Sequence, residues 1–112
     1  MQQINSVILE GTIKEDIVYC RDGYFPTIKF TVKNEWSEIC PGDSNLTAYR
    51  CDDIPIVMKV ERGHEDFVLS HVTEGREVRI VGKLHVEHQE GKVYLFAEHV
   101  EYKPMFQADK ED

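Results

Sequence analysis

The strongest pattern in the chain lies in residues 74–102, which contain two strand-like segments joined by a short polar turn. In the first segment, apolar and polar residues alternate as in a half-buried β-strand, an alternation that is broken at Val81. The apolar members are Val78, Ile80, Leu84 and Val86. The second segment, residues 92–102, is rich in β-branched and aromatic side chains. The stretch predicts a β-hairpin, and Gly82 inside its first strand predicts a bulge or bend of the kind that curls a small sheet into a barrel.

Further strands are predicted before this hairpin. Residues 4–13 form a long strand bent at Gly11, and a short strand-like run follows at 17–19. Residues 27–34 alternate clearly, with Ile28, Phe30 and Val32 on the inner face and lysines on the outer face. Residues 46–51 resume as a strand. Residues 52–60 contain Pro55 and are interpreted either as a further strand or as the continuation of the last one past a bulge.

The remaining segments are predicted as turns, a loop and one helix. Residues 63–74 are the only plausible helix, with Gly75 as its C-cap. Residues 35–45 contain a Pro-Gly-Asp-Ser run and are predicted as an exposed loop carrying Trp36, the only tryptophan. Tyr24 and Phe25 precede Pro26 in a turn, where they form either a stacking pair or, by preference, a plug at the barrel end.

Length and composition favour one soluble domain. The chain has 112 residues, so we predict one domain over residues 1–106 and a short polar end over 107–112. Three cysteines without a Cys-x-x-Cys pair indicate no disulfide framework and a reducing compartment. No apolar run is long enough to span a bilayer and the N-terminus does not resemble a signal peptide, so no membrane association and a cytoplasmic location are expected.

The order of the elements predicts an all-β fold with one short helix. With the first run counted as one bent strand, five strands and a helix between strands 3 and 4 give the arrangement of an OB-fold barrel. A β-sandwich would need more strands and more regular turns.

Four segments resemble bacterial single-stranded DNA-binding proteins. NSVILEG at 5–11 is similar to the opening strand of that family and FTV at 30–32 to its second strand. The run from Gly75 to GKL at 82–84 is similar to the fourth strand, and AEHVEY at 97–102 to the fifth. The resemblance covers most of residues 4–106. The chain departs from the family on the fourth strand, where it carries histidines and Glu87, and at its end, which lacks the acidic, hydrophobic-tipped tail.

The resemblance implies sequence-nonspecific binding of single-stranded DNA in replication, recombination or repair. It also implies a homo-oligomer, a dimer or tetramer, and contacts with replication or repair proteins, in a cytoplasmic molecule associated with the nucleoid. Single strands are held by a basic groove for phosphates and by flat rings on which any base can stack. The candidate residues are Lys29 and Lys33 beside Trp36, Tyr49 with Arg50, and Arg79 with Lys83.

Each candidate also has a plainer interpretation. Outward lysines on a strand often serve only solubility, and Trp36 could fold back onto the barrel rim. The formal net charge of -8 means that a polyanion would have to bind a local basic stripe against the field of the whole molecule. The alternative function is therefore an acidic OB-fold module that binds another protein and has lost its nucleic-acid face.

Catalysis is not expected from the sequence. The cysteines and histidines lack metal-ligand spacing, and His85 and His88 point to opposite faces of a strand. No phosphate-binding glycine loop or serine elbow motif occurs. The prediction is a binding protein without a cofactor or metal.

Overall fold

The computed structural model describes residues 3–21, 23–40, 42 and 45–104, and shows a closed β-barrel with one short helix. The predicted all-β, five-stranded OB-type barrel is confirmed in its five long strands, to which one short strand is added. The helix follows β4 and precedes β5. The predicted polar end, 107–112, lies outside the described residues. The elements are β1 Val7–Ile13, β2 Val18–Cys20, β3 Thr27–Ile39, β4 Thr47–Lys59, α1 Glu65–His71, β5 Glu77–Glu87 and β6 Lys92–Tyr102.

The strands form one sheet in the order β1-β5-β6-β4-β3-β2, and β1 also pairs with β3 to close the barrel. All pairings are antiparallel except that of β4 with β6, which is parallel and spans Ile56–Leu95, Val57–Phe96 and Met58–Ala97. The parallel pairing joins the N-terminal half of the barrel to its C-terminal hairpin.

The barrel interior is filled by the inward parity of each long strand. Ile28, Phe30 and Val32 are buried, as their alternation in the sequence predicted. They meet buried aliphatic side chains from the other strands: Ile13, Ile56, Val78, Ile80 and Leu95. Because alternate residues of a strand point to opposite faces, this packing turns Lys29 and Lys33 to the outside.

Two glycines allow the barrel to close. β1 pairs with β5 as far as Thr12 and with β3 at Thr12 and Ile13. At Gly11, next to this changeover, a Cβ would overlap the carbonyl oxygen of Lys33. The register of β5 against β6 shifts between Val81 and Gly82, so the predicted bulge is confirmed. A Cβ on Gly82 would overlap the backbone carbonyl of Phe96, which shows why no larger residue fits there.

Strands β3 and β4 are longer than predicted. Residues 35–39, expected in a loop, continue β3 and pair with β4, so the loop prediction was wrong for Trp36. Residues 34–39 and 47–52 pair only with each other in the described part of the chain, and together form a projecting hairpin that we call the β3–β4 arm.

The ambiguous segment 52–60 is the second half of β4, including Pro55 opposite Thr31. The carbonyl of Thr31 accepts the N–H of Lys14 at 2.9 Å and so faces β1, not β4. Pro55 therefore occupies a position whose missing N–H removes no hydrogen bond from the β3–β4 ladder, because alternate pairs of an antiparallel ladder are not hydrogen-bonded.

The helix is shorter than predicted. It covers Glu65–His71 and its C-cap is Val72, so the prediction of Gly75 as cap was wrong. Gly75 instead adopts a φ of 88° in the turn before β5 and donates its N–H to Ile13 O at 2.8 Å. No helix in the described residues is long and apolar enough to cross a membrane.

Candidate nucleic-acid interface

A row of four side chains crosses the outside of the barrel. Lys29 on β3 lies opposite Val57 on β4, Val57 opposite Phe96 on β6, and Phe96 opposite Lys83 on β5. Directly opposed residues point to the same face of a sheet. The row therefore places a lysine at each end and an aromatic ring between them.

Lys59 and further rings extend this row. The Nζ of Lys59 lies 5.7 Å from the ring centroid of Phe96 and 5.3 Å from that of Phe25. His85 lies 5.5 Å from Phe96 and 5.8 Å from Tyr94, centroid to centroid. Such distances are typical of aromatic and cation–π contacts. We call this surface the outer face; its members are Phe25, Lys29, Val57, Lys59, Lys83, His85, Tyr94 and Phe96.

The prediction missed several members of the outer face. Phe25 was expected to plug the barrel end, but it is 48% exposed and Tyr24 is 85% exposed, so the preferred interpretation was wrong. Phe96 is not covered by α1, because Phe67 and His71 of that helix lie near each other and His71 lies 5.2 Å from Tyr102, centroid to centroid. Leu95 and Ala97 are buried, so Phe96 between them faces outward. Both parities of β6 are apolar in the sequence, which therefore held no signal for this orientation.

Ion pairing separates the basic side chains into two groups. Most described lysines and arginines contact a carboxylate, in the pairs Lys14–Asp53, Lys33–Glu35, Arg50–Glu38, Arg79–Glu10, Lys83–Glu98, Lys92–Glu90 and Lys103–Glu10. The exceptions within the described residues are Arg21, Lys29, Lys59, Arg62 and Arg76. Arg76 donates its Nε to Lys103 O at 2.9 Å. Positive charge without a carboxylate partner is thus concentrated at Lys29 and Lys59 on the outer face and at Arg21 and Arg62 beside it.

Arg79 is committed to a carboxylate on the β1 side of the barrel. Its Nε donates to Glu10 at 3.0 Å, and Lys103 approaches the same carboxylate at 3.5 Å. The hydrogen bond from Arg79 and the charge of Lys103 hold the pKa of Glu10 below its ordinary value. Glu10 therefore stays charged, and Arg79 lies away from the β4–β6 centre of the outer face.

Trp36 and Arg50, on the arm, lie on the opposite face of the β3–β4 pair from Lys29 and Lys33. Their positions continue the inward parity of β3 and β4, and they pair directly with each other. The Nε1 of Trp36 donates to Asp52 at 2.8 Å, and Arg50 contacts Glu38 at 3.4 Å. The predicted grouping of Trp36 with the two lysines was wrong because residue 36 has the other parity.

Tyr49 on the arm and Lys33 just before it both have the outward parity of their strands. Tyr49 lies opposite Ser37 and is 82% exposed, while Lys33 lies opposite Asp53 and contacts Glu35 at 3.2 Å. The structure thus brings Lys29 and Lys83 into one row, extends that face toward Lys33 and Tyr49, and separates the other candidates from it. No cluster of three potential metal ligands occurs among the described residues.

Comparison with known proteins supports the fold. No family model and no curated protein matches the chain. Among solved structures, a Plasmodium falciparum SSB in complex with ssDNA has a TM-score of 0.75 at 15% identity, covering 93% of this chain and 98% of that one.

Two further solved structures are similar over most of the chain. The small single-stranded DNA-binding protein of Streptomyces coelicolor has a TM-score of 0.68 at 13% identity, over 92% of this chain and 96% of that one. The N-terminal domain of PriB from Thermoanaerobacter tencongensis, described as dimeric, has a TM-score of 0.60 at 20% identity, over 90% and 98%. The chain thus shares the fold of single-stranded DNA-binding proteins, as the resemblance of its strand motifs implied.

Proposed function

We propose that the chain binds single-stranded DNA without sequence preference on the outer face. The observation that carries this proposal is the placement of Lys59 over the rings of Phe96 and Phe25, with Lys29 in the same row on the other side of Val57. Neither lysine has a described carboxylate partner. Lysines contact phosphates and rings accept bases, and the two groups together are what a single strand requires. The likeness to proteins described as binding single-stranded DNA supports the same ligand.

The absence of sequence preference follows from the chemistry of the face. Stacking contributes about 1–3 kcal/mol per base and tolerates any base, since each has a π-face. Lys33 and Lys83 extend the basic surface, because their exposed ion pairs at 3.2 and 3.5 Å are worth only about 0–1 kcal/mol and can be exchanged for phosphates. Trp36, Arg50 and Arg79 have no role in the proposed face.

The net charge of -8 makes the salt dependence informative. Each phosphate neutralised by a lysine releases counterions, so affinity should fall steeply as salt rises. The test is a fluorescence-anisotropy titration of labelled oligo-dT, oligo-rU and duplex DNA at about 0.05 and 0.2 M salt. We expect tighter binding of oligo-dT than of duplex, weakening with salt; no binding at micromolar protein would contradict the proposal. A labelled oligonucleotide is required because Trp36 lies on the other face.

Replacement of Trp36 tests the choice of face. Trp36→Ala removes the indole ring and its hydrogen bond to Asp52 but leaves the outer face unchanged. We expect the affinity for oligo-dT to change by less than about twofold, whereas loss of a stacking ring costs about 1–3 kcal/mol, or roughly five- to 150-fold. Anisotropy measures the affinity and urea unfolding provides the folding control. A tenfold loss with unchanged stability would assign the site to the arm.

We infer an oligomer, a dimer or tetramer, from exposed aliphatic side chains at the end of the β5–β6 hairpin. Leu84, Val86 and Val93 share the inward parity beyond the barrel end, where Val86 pairs with Val93, and they are 47%, 48% and 52% exposed. A contiguous exposed apolar patch on a soluble protein is typical of an interface. The similar PriB domain is described as dimeric.

Charge introduced into this patch should dissociate the oligomer. Leu84→Glu combined with Val86→Glu places two carboxylates where an interface would bury them, at a cost of several kcal/mol. Light scattering after gel filtration should show the mass of one chain for the variant and a multiple of it for the wild type. Phe67→Glu, on the exposed side of α1, is the matched control and should keep the oligomer. A monomeric wild type would contradict the inference.

The biological setting follows from the proposed ligand. A protein that coats single strands acts where duplexes are opened, in replication, recombination or repair, and would meet replication or repair proteins there. A cytoplasmic, nucleoid-associated location is consistent with that role.

A second candidate function is recognition of another protein by the β3–β4 arm. On the arm, Arg50 contacts Glu38 and the indole of Trp36 donates to Asp52. A shallow pocket on the arm is lined by Glu35, Trp36, Ser37, Tyr49, Arg50 and Cys51. An acidic surface with an exposed aromatic fits a basic protein segment better than a phosphate backbone. This function would be favoured if no oligonucleotide bound.

A further inference from the structure

Arg21 and Arg62 line a shallow cleft beside the outer face. The cleft lies between the end of β2 and the segment before α1, and its lining also includes Gly23, Tyr24, Pro26 and Glu65. Neither arginine pairs with a described carboxylate, although Arg21 lies 6.0 Å above the ring of Tyr19. Two guanidinium groups with open donors form a surface suited to phosphate oxygens.

Aromatic rings connect the cleft to the outer face. Tyr24, which lines the cleft, lies 5.4 Å from Phe25, and Phe25 is contacted by Lys59 of the outer face. The two segments are tied together by the hydrogen bond from Val60 N–H to Pro26 O at 2.9 Å. The rings and cations therefore follow one path, from Phe96 past Lys59, Phe25 and Tyr24 to the arginines.

The carboxylates near the cleft make short contacts with groups other than the two arginines. The carboxylate of Glu65 accepts the N–H of Gly63 at 2.8 Å, and backbone hydrogen bonds, with a smaller effect of the charge of Arg21, hold its pKa below the ordinary value, so Glu65 stays ionised. Glu61 contacts His64 at 3.3 Å. Among the described residues that line the cleft, two arginines stand against one carboxylate, so this described lining has an excess of positive charge although the molecule as a whole is acidic.

We propose that the cleft binds internal phosphates of the same single strand whose bases stack on the outer face. This inference rests on the proposed function and extends its site around the rim of the barrel. The occupied length of DNA then exceeds what the outer face alone can cover, because Tyr24 and Phe25 guide the strand over the turn. The two arginines add phosphate contacts without adding sequence preference, since phosphates carry no sequence information.

Oligonucleotide length separates the cleft from the outer face. The experiment compares wild type with Arg21→Gln/Arg62→Gln on oligo-dT of about 5 and about 15 nucleotides, lengths within the range that one OB fold covers. We expect the variant to bind the short oligonucleotide within twofold of wild type and the long one about tenfold more weakly. For the long oligonucleotide, the slope of the logarithm of the binding constant against the logarithm of the salt concentration should fall in magnitude by about 1.4, or about 0.7 for each lost phosphate contact.

Matched controls make each outcome decisive. Arg50→Gln removes a guanidinium on the opposite face of the arm and should leave both affinities within twofold, while unchanged melting temperatures show that all variants fold. Equal affinities of wild type and the cleft variant for the long oligonucleotide would overturn the inference. An equal loss of affinity for both lengths would also overturn it, as would a loss seen only with oligonucleotides that carry a 5′-phosphate, because the cleft would then bind a terminal phosphate and not internal ones. If wild type binds neither oligonucleotide, the proposed function itself fails.

Discussion

Lys29→Gln combined with Lys59→Gln is expected to weaken binding of oligo-dT by about a hundredfold, with little change in stability. Both lysines lack a described carboxylate partner, and Lys59 lies over Phe96 and Phe25. In the proposed complex each substitution removes a lysine–phosphate contact next to the rings on which bases stack. The electrostatic attraction that keeps the bases on these rings is then lost. The loss should be uniform across sequences, and the salt slope should fall by about 1.4.

The matched control is Arg50→Gln combined with Arg79→Gln, which gives the molecule the same net charge. Both arginines are already paired, with Glu38 and Glu10, so affinity should fall by no more than about threefold through the general field. Anisotropy at two salt concentrations measures both variants, and urea unfolding monitors stability. Equal losses in the two double variants would show that only total charge matters and would remove the outer face as the site.

Gly82→Ala is expected to have the largest effect on stability. Its Cβ would overlap the carbonyl group of Phe96 and approach the Cα of Ala97, both of which are backbone atoms that cannot rotate away. The strands would have to separate at the bulge, at a cost of about 3 kcal/mol or more, a large share of the about 5–15 kcal/mol that stabilises a domain. Urea unfolding should show a lower midpoint, or the variant should fail to fold.

Gly91→Ala provides the comparison. Gly91 has a φ of 73° and no atom near its would-be Cβ, so alanine costs only the about 1–2 kcal/mol of a left-handed conformation. If the two variants lose the same stability, the close approach at Gly82 is not what constrains the barrel. Oligo-dT binding by surviving Gly82→Ala protein should also weaken, because the bulge adjoins the Lys83–Phe96 pair.

The barrel could be predicted from the sequence because its core strands carry regular alternation. Ile28, Phe30 and Val32 fix the inner parity of β3, and Gly11 and Gly82 mark the two places where backbones approach closely. The arm could not be predicted in the same way. Beyond Asn34 neither parity is consistently apolar, so the strand is specified by pairing with β4 and not by burial.

The candidate site was only partly predictable for a related reason. Lys29 and Lys83 follow from parity, but their junction through Val57 and Phe96 depends on the parallel pairing of β4 with β6, which joins segments distant in sequence. On β6 both parities are apolar, so the sequence does not show which one is covered. Whether a cation is paired is also a long-range property: Arg79 meets Glu10, whereas Lys59 meets two rings.

The three-residue parallel pairing of β4 with β6 would couple binding of the proposed ligand to closure of the barrel. In the described part of the chain this pairing joins the β3–β4 hairpin to the β5–β6 hairpin. The proposed ligand would lie directly across it, between Lys29 on β3 and Lys83 on β5. A DNA strand bound to both lysines would hold the two hairpins together. The free energy of binding would therefore add to the free energy of unfolding. A protein that coats single-stranded DNA would then be more stable on the DNA than free in solution.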